Sequence, residues 1–329
     1  MQRIATLAVS LLLIATSRVD AQISAALPPA GTTTAATGEP PASMTTFLAE
    51  LSSGYEHYSS PLVRLSDEGP LVLVEGRSKL VGHFVGVSVS GSHMVNFAGQ
   101  QSVQVNAALR DRNFRHAGDL NFRHSNVDVL YRLPVGTASA GIGAGVQRIA
   151  VGGRHFRQRI AAQADLFFQH GQDGYTSIVL DQGDNRHAVD NRDLDASAGL
   201  ALVRRQFTNP RHGIDEFAIE AGVGRERNIR GNHDLSSRQL HLRMNADWQT
   251  PGLKWTLSLM LQHSRFDAEL LPGMPARVDR FAALDIGVEY TINPHVALRA
   301  DWSQMINKAN TVLYESRYRG GSVTLLLNH

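Results

Sequence analysis

The chain has 329 residues, no cysteine, and 32 Lys and Arg against 30 Asp and Glu, which gives a formal net charge of +2. Without cysteine there can be no disulfide, no thiolate metal site and no lipidated cysteine anchor. The arginines are scattered along the chain rather than clustered, which excludes the basic patch of a nucleic-acid-binding protein.

The first 45 residues carry targeting and linker signals. Residues 1–21 combine a short basic start, an apolar core and small residues at a cleavage site, which predicts a secretory signal peptide. Residues 22–45 are rich in Ala, Thr, Pro and Gly, which predicts a disordered periplasmic linker. No other segment has eighteen consecutive apolar residues, so a helical membrane protein is excluded.

From about residue 46 onward, apolar and polar residues alternate. Between Leu240 and Trp248, for example, every second residue is apolar and the residues between them are polar. A period of two over roughly ten residues, repeated along the chain, predicts an all-β transmembrane antiparallel β-barrel over 46–329. A soluble β-sandwich also alternates, but the long strands and the rhythm of short and long connections weigh against it.

The alternation predicts a strand in each of the following segments: 46–58, 70–81, 83–96, 101–111, 122–133, 137–150, 158–170, 174–182, 192–206, 214–227, 236–250, 253–266, 279–292, 295–306 and 312–328. These segments give an odd number of strands, whereas bacterial single-chain barrels have an even number. We therefore interpret 70–96 as one irregular strand or a weak hairpin. We predict fourteen strands, with twelve or sixteen as alternatives.

The connections between these strands differ in length and composition. Three segments that contain Pro, Gly or Asn predict tight periplasmic turns: 133–136, 249–252 and 293–295. Aromatic residues near strand ends predict girdles at the two membrane interfaces, namely Tyr131, Trp248, Trp255, Tyr290 and Trp302. Longer polar connections, predicted to face outside, are 110–123, 181–192, 225–237, 266–279 and 304–311. The predicted location is the Gram-negative outer membrane. The expected partners are outer-membrane lipids, the barrel-assembly machinery and a separate periplasmic protein, without nucleic acid.

Strand parity places a set of charged residues of both signs on the lumen face. The predicted pore-lining residues are Arg110, Asp128, Arg132, Asp165, Arg205, Glu220, Arg243, Asp247, Asp285, Glu289, Arg299 and Asp301, with Asp195 and Glu216 on the same parity. Such charges either pair across strands and fill the interior or line an aqueous path. Gly141, Gly143 and Gly145 are also predicted to face inward, where the absence of a side chain makes room for a loop, a plug or a passing substrate, or lets the sheet bend.

No catalytic constellation or metal site is predicted. His124 and Ser125 are of the residue types that a barrel lipase uses, but adjacent residues on a strand point to opposite faces, and His263 and Ser264 fail in the same way. No histidine pair has ligand spacing, and the loop 181–185 lacks the alternating oxygen ligands of a calcium loop. We expect no enzyme activity and no cofactor.

The two ends of the barrel resemble a known family. The segment 303–318 joins an Asn-bearing loop to a Leu-Tyr pair and an Arg three residues later, and an alternating strand follows from 323. These residues, with 52–60, resemble the barrels of surface lipoprotein assembly modifiers and poly-N-acetylglucosamine exporters. That resemblance implies a fourteen-strand export barrel. Two departures are the missing helical repeat domain and His329 in place of the usual terminal aromatic residue.

The sequence therefore favours a conduit over two other functions. The cargo would be a polysaccharide, a lipoprotein or a polar solute. An outer-membrane lipid hydrolase, of the phospholipase or lipid A deacylase type, is one alternative. A closed structural or adhesive barrel, with a lumen filled by ion pairs, is the other.

Overall fold

The computed structural model describes residues 43–65, 72–97, 100–116, 118–208, 214–232, 235–250, 252–269, 273, 275–311 and 314–328. The strands are β1 (Ser43–Leu65), β2 (Val72–Phe97), β3 (Gln101–Phe114), β4 (Phe122–Val135), β5 (Ala138–Val151), β6 (Arg154–Gln169), β7 (Gly174–His187), β8 (Ala196–Thr208), β9 (Ile214–Asn228), β10 (Ser237–Thr250), β11 (Leu253–Phe266), β12 (Val278–Asn293), β13 (Val296–Ala309) and β14 (Ser316–Asn328). Each strand pairs antiparallel with its sequence neighbours, and β1 pairs with β14 to close the barrel.

The predicted fold and strand number are confirmed. Segment 70–96 is the single strand β2, which runs through Gly82 because that residue pairs with Glu56 on β1. β1 begins at Ser43, so the predicted boundary at residue 46 is corrected: Thr45 hydrogen-bonds His93 on β2 at 2.8 Å. The signal segment, the linker up to residue 42 and His329 lie outside the described residues.

The two faces of the barrel differ in chemistry. Outward positions carry exposed apolar side chains such as Val87, Ile142 and Val223. Inward positions carry most of the polar and charged side chains of the strands. A membrane-spanning sheet must pair its own backbone groups, because lipid offers them no hydrogen bonds, and must present apolar side chains to the lipid. The closed ladder meets the first requirement and the apolar outer band meets the second. The protein is therefore an integral barrel of the bacterial outer membrane.

An even number of strands places both ends of the barrel chain at the same rim. The connections 136–137, 251–252 and 294–295 at this rim are two-residue turns, and Gly136 and Gly252 have φ of 62° and 79°. At the opposite rim only 152–153 is as short and the other connections are longer, so the rim with the shorter turns is the periplasmic side. Trp248 and Trp255 stack beside this rim, with ring centroids 6.1 Å apart, whereas Trp302 lies near the middle of β13.

The connections at the opposite rim are shorter than predicted, because the strands continue into them. β7 extends to His187 and β9 extends to Asn228, since both keep ladder partners to these positions. Two 3-10 turns, Gly118–Leu120 and Val189–Leu194, lie in these outer connections. No helix in the described residues is long and apolar enough to cross a membrane.

Asp195 ties two outer loops together. Its buried carboxylate accepts a hydrogen bond from the His187 backbone N–H at 2.7 Å and pairs with Arg230 at 3.1 Å. Its backbone oxygen accepts from the Ile229 N–H at 3.0 Å. Burial raises the pKa of Asp195, but the His187 N–H and Arg230 outweigh it, so the pKa lies below its usual value of 3.8.

An Asp195→Asn variant is expected to lose ~1 kcal/mol of loop stabilisation, because its side chain no longer carries the charge that pairs with Arg230. Trypsin should therefore cleave after the exposed Arg192 about fivefold faster than in wild type. Because the pKa of Asp195 is lowered in the folded protein, its stabilising contribution in wild type is fully present above the usual pKa of 3.8. That contribution is lost as the pH falls through the lower, folded-state pKa. Fragment appearance on gels measures the rate. The control is Asp173→Asn, an exposed position in the connection between β6 and β7 at the opposite rim. Equal cleavage of the two variants would contradict a role of Asp195 in holding the loops.

Candidate functional site

The barrel lumen gathers most of the predicted site residues. Eleven of the twelve predicted pore-lining residues face inward: Arg110, Asp128, Arg132, Asp165, Glu220, Arg243, Asp247, Asp285, Glu289, Arg299 and Asp301. Glu216 also faces inward on β9. Asp195 lies just outside the strands, in the loop contact described above. That these residues line a conducting path stays a prediction.

Arg205 faces outward, and its predicted position in the lumen is corrected. It alternates with exposed Val203 and Phe207, its guanidinium lies 4.8 Å from the Phe207 ring centroid, and it donates to Thr176 Oγ1 at 3.4 Å. Long basic side chains near a strand end can cover apolar surface while the charge reaches water. The inward arginine on β8 is its neighbour, Arg204.

The parity error has a physical cause. Residues 200–203 of β8 are all apolar, so a period of two cannot assign a face there. Leu200 and Leu202 face the lumen, and Ala201 and Val203 face lipid. The faces are assigned by the ladder register of β8, in which Val203 pairs with exposed Ile178 on β7.

Glu50 is the centre of an ion-pair cluster that the sequence analysis did not identify. Its carboxylate lies 3.3 Å from the Arg299 guanidinium and 3.7 Å from that of Arg110. Arg299 also contacts Asp301 at 2.9 Å. Glu50 therefore links β13 and β3 across the seam where β1 closes the barrel. The alternation of β1 could have shown that Glu50 faces inward, but not its partners.

A well-enclosed ion pair of the described residues crosses a glycine. Arg132 on β4 and Asp165 on β6 are 3.0 Å apart, although β5 lies between them. Gly141 of β5 is the ladder partner of both residues. A Cβ atom at Gly141 would lie 2.6 Å from Asp165 Oδ1. The inward glycine thus provides the space in which a carboxylate reaches across a whole strand.

Other ion pairs and hydrogen bonds continue this lattice. Glu56 on β1 pairs with Arg112 on β3 and so skips β2, whereas Asp181 on β7 pairs with Arg159 on the adjacent strand β6. Asp128 accepts a hydrogen bond from Asn106 Nδ2 at 2.6 Å. The lattice fixes the wall of the lumen, because each link joins separate strands.

The lumen wall around β9 is less strongly paired. Glu216, Glu220 and Glu226 face inward, and among the described residues none has a cation within ion-pair distance. The inward positions between them are small, namely Ala218, Gly222 and Gly224. Glu216 also stands opposite a second carboxylate, Asp247, in the ladder. Glu220 lies opposite Arg204 and Arg243 in the ladder, and Arg157 and Arg159 act electrostatically on Glu226, so Glu216 carries the least compensated charge of the three glutamates.

The residues considered for catalysis point apart. His124 is buried and stacks beside Phe122 with centroids 6.3 Å apart, whereas Ser125 pairs with Leu109 on the outward face. His263 faces outward and Ser264 inward. In the part of the chain that is described, no three His, Cys, Asp or Glu side chains group closely enough to hold a metal ion.

No described segment folds into the barrel as a plug. The 3-10 turns Gly118–Leu120 and Val189–Leu194 pack mainly against β3 and β7, their own neighbours in sequence. Within the described residues, the lumen is therefore occupied only by side chains of the wall.

Solved outer-membrane barrels are similar to this chain in overall fold. OmpT of Vibrio cholerae has 9% identity over 89% of this chain and 99% of its own, with a TM-score of 0.49. A Pseudomonas aeruginosa FadL homologue has 10% identity over 88% of this chain and 90% of its own, with a TM-score of 0.45. An anion-selective porin from Comamonas acidovorans has 10% identity over 87% of this chain and 100% of its own, with a TM-score of 0.43.

At these identities and scores the structures assign no substrate to this chain. No protein-family model matches the sequence, and no curated protein matches it either. The resemblance of both barrel ends to surface lipoprotein assembly modifiers is therefore not confirmed as family membership.

Proposed function

We propose that this protein is a conduit through which polar solutes cross the outer membrane. The observation that carries the proposal is a lumen lined by charges of both signs, with no plug in the described residues. Barrels of more than the smallest size use such a wall to line an aqueous path and to select the solutes that enter.

Partial exposure of the lattice supports a path rather than a filled core. Asp301 keeps 32% and Asp247 keeps 26% of its side-chain surface accessible, although each contacts a cation. Charges in a close-packed interior would be almost fully buried, since packing there leaves few voids of water size. The water-accessible carboxylates therefore favour an aqueous lumen over a closed structural barrel.

The finer form of the proposal is export of a polysaccharide or a lipoprotein, delivered by a separate periplasmic protein. It rests on the resemblance of 52–60 and 303–318 to export barrels. Deleting the gene should then remove a surface polymer or a surface lipoprotein, while general solute uptake stays normal. Unchanged surface display in the deletion strain would rule out this cargo and leave the solute conduit.

Planar-bilayer recording of the purified full-length protein is expected to show stepwise conductance. A matched pair of variants links the steps to the lumen: Ser258→Trp places an indole inside the barrel, and Leu257→Trp places one on the lipid face. We expect Ser258→Trp to reduce the conductance by about half and Leu257→Trp to leave it unchanged, because only the first narrows the path. No conductance from folded protein would contradict the conduit.

A further inference from the structure

The outer face of the barrel carries a group of cations near the non-periplasmic rim. The basic outer patch consists of Arg238 on β10, Arg265 on β11, Arg280 on β12, Lys308 on β13, and Arg317 and Arg319 on β14. All six side chains are exposed. Each lies just beyond outward apolar residues of its own strand, such as Leu240, Leu261 and Val323. The patch therefore lies at the outer edge of the apolar band, at the depth of the lipid headgroups.

The register brings like charges directly opposite each other in this patch. Arg238 is the ladder partner of Arg265, and Arg280 is the ladder partner of Lys308. His263 stands opposite Arg280 as well. Like charges in facing positions destabilise a sheet unless an anion lies between them. No ion pair joins any residue of the patch to a carboxylate in the described part of the chain.

Some cations elsewhere on the outer face of the same rim have acidic partners. Arg123 contacts Asp111 at 2.6 Å, and Arg186 contacts Asp184 at 3.1 Å. Arg225, at the edge of the patch, donates to Asp267 at 3.2 Å. Arg148 on β5 and Arg227 on β9 have no carboxylate within ion-pair distance in the described part of the chain, but neither faces another cation in the ladder. Among the described residues, outward arginines and lysines that face one another are thus confined to β9–β14, which makes them a local feature rather than a property of the whole rim.

We propose that the basic outer patch binds the phosphate groups of a phosphorylated lipid in the outer leaflet. Arginine forks on neighbouring strands, about 4.8 Å apart, match the oxygens of a phosphate and relieve the repulsion between the facing cations. The apolar residues below the patch contact the acyl chains of the same lipid. The site lies outside the lumen, so it does not depend on the proposed conduit.

The test measures binding of bis-phosphorylated lipid A to the full-length protein in nanodiscs by native mass spectrometry. The patch variant is Arg238→Gln/Arg265→Gln/Arg280→Gln. The control, Arg123→Gln/Arg148→Gln/Arg186→Gln, removes the same charge from the outer face of β4, β5 and β7. Each cation near a charged lipid surface contributes about 1 kcal/mol, so we expect the patch variant to bind at least roughly tenfold more weakly and the control to bind within about twofold of wild type.

Folding of each variant is checked by its heat-modifiable mobility on gels. If the triple variant does not fold, the single Arg280→Gln change should still weaken binding about fivefold. Equal losses in patch and control variants would overturn the proposal. The proposal would also be overturned if lipid A without its phosphates bound as tightly as the bis-phosphorylated form. Displacement of the lipid by millimolar inorganic phosphate would overturn it too, because it would indicate a site for a free anion.

Discussion

Replacing Arg132 with methionine is expected to lower the free energy of unfolding by about 3 kcal/mol, because it leaves the carboxylate of Asp165 without its counter-charge. The pair is well enclosed, with 15% and 5% of the two side chains exposed. The measurement is urea unfolding of the barrel in lipid vesicles, followed by tryptophan fluorescence. A change below about 1 kcal/mol would show that water in the lumen already screens this charge.

Two further variants separate a buried charge from a general effect of losing an arginine. Arg132→Met/Asp165→Leu removes both charges and should be more stable than Arg132→Met alone, because no unpaired carboxylate remains. Arg186→Met breaks the outer pair with Asp184, in which 52% and 48% of the side chains are exposed. We expect that change to cost less than about 1 kcal/mol.

Gly141 provides an independent test of the same contact. In Gly141→Ala the added methyl would approach Asp165 within 2.6 Å, so the carboxylate must move away from Arg132. The variant should therefore be destabilised, and its effect should not add to that of Arg132→Met, because both break one interaction. Fully additive losses would mean that the glycine serves the bending of β5 instead of the ion pair.

The strand number and most inward positions followed from the sequence because lipid and water require opposite side chains on the two faces of one strand. The inference failed at Arg205, since 200–203 present apolar residues to both faces and remove the signal. It also ended β7 at residue 182, whereas the strand continues to His187, because the polar residues Asp181 to Arg186 keep their ladder partners although they show no apolar alternation.

The ion-pair partners could not be predicted for a different reason. Glu50 and Arg299 are separated by 249 positions and meet only because β1 closes on β14. Arg132 and Asp165 meet across a strand whose inward residue happens to be glycine. Parity tells which side chains enter the lumen, but partner choice depends on closure and on which intervening side chains are small.

The last prediction concerns the sign of the ions that pass through the conduit. The described lumen-facing cations are Arg110, Arg112, Arg132, Arg154, Arg157, Arg159, Arg204, Arg243, Lys254 and Arg299 on the strands, with Arg277, which pairs with Asp279, just before β12. The corresponding carboxylates are Glu50, Glu56, Asp128, Asp165, Asp181, Glu216, Glu220, Glu226, Asp247, Asp279, Asp285, Glu289 and Asp301. The carboxylates outnumber the cations, so the lumen should attract cations and conduct them in preference to anions.

Glu216→Gln is expected to reduce the cation-to-anion permeability ratio by about 1.5-fold, because this carboxylate stands opposite Asp247 and has no ion-pair partner among the described residues that cancels its charge. The reversal potential in a KCl gradient measures the ratio. The control, Asp184→Asn, removes one carboxylate from the outer face and should leave the reversal potential unchanged. An anion preference in the wild-type protein, or an equal shift in the control, would show that lumen carboxylates do not set the selectivity. Since Glu216 takes no part in the ion-pair lattice, the variant should also unfold at the same urea concentration as wild type, which separates the charge of the path from the stability of its wall.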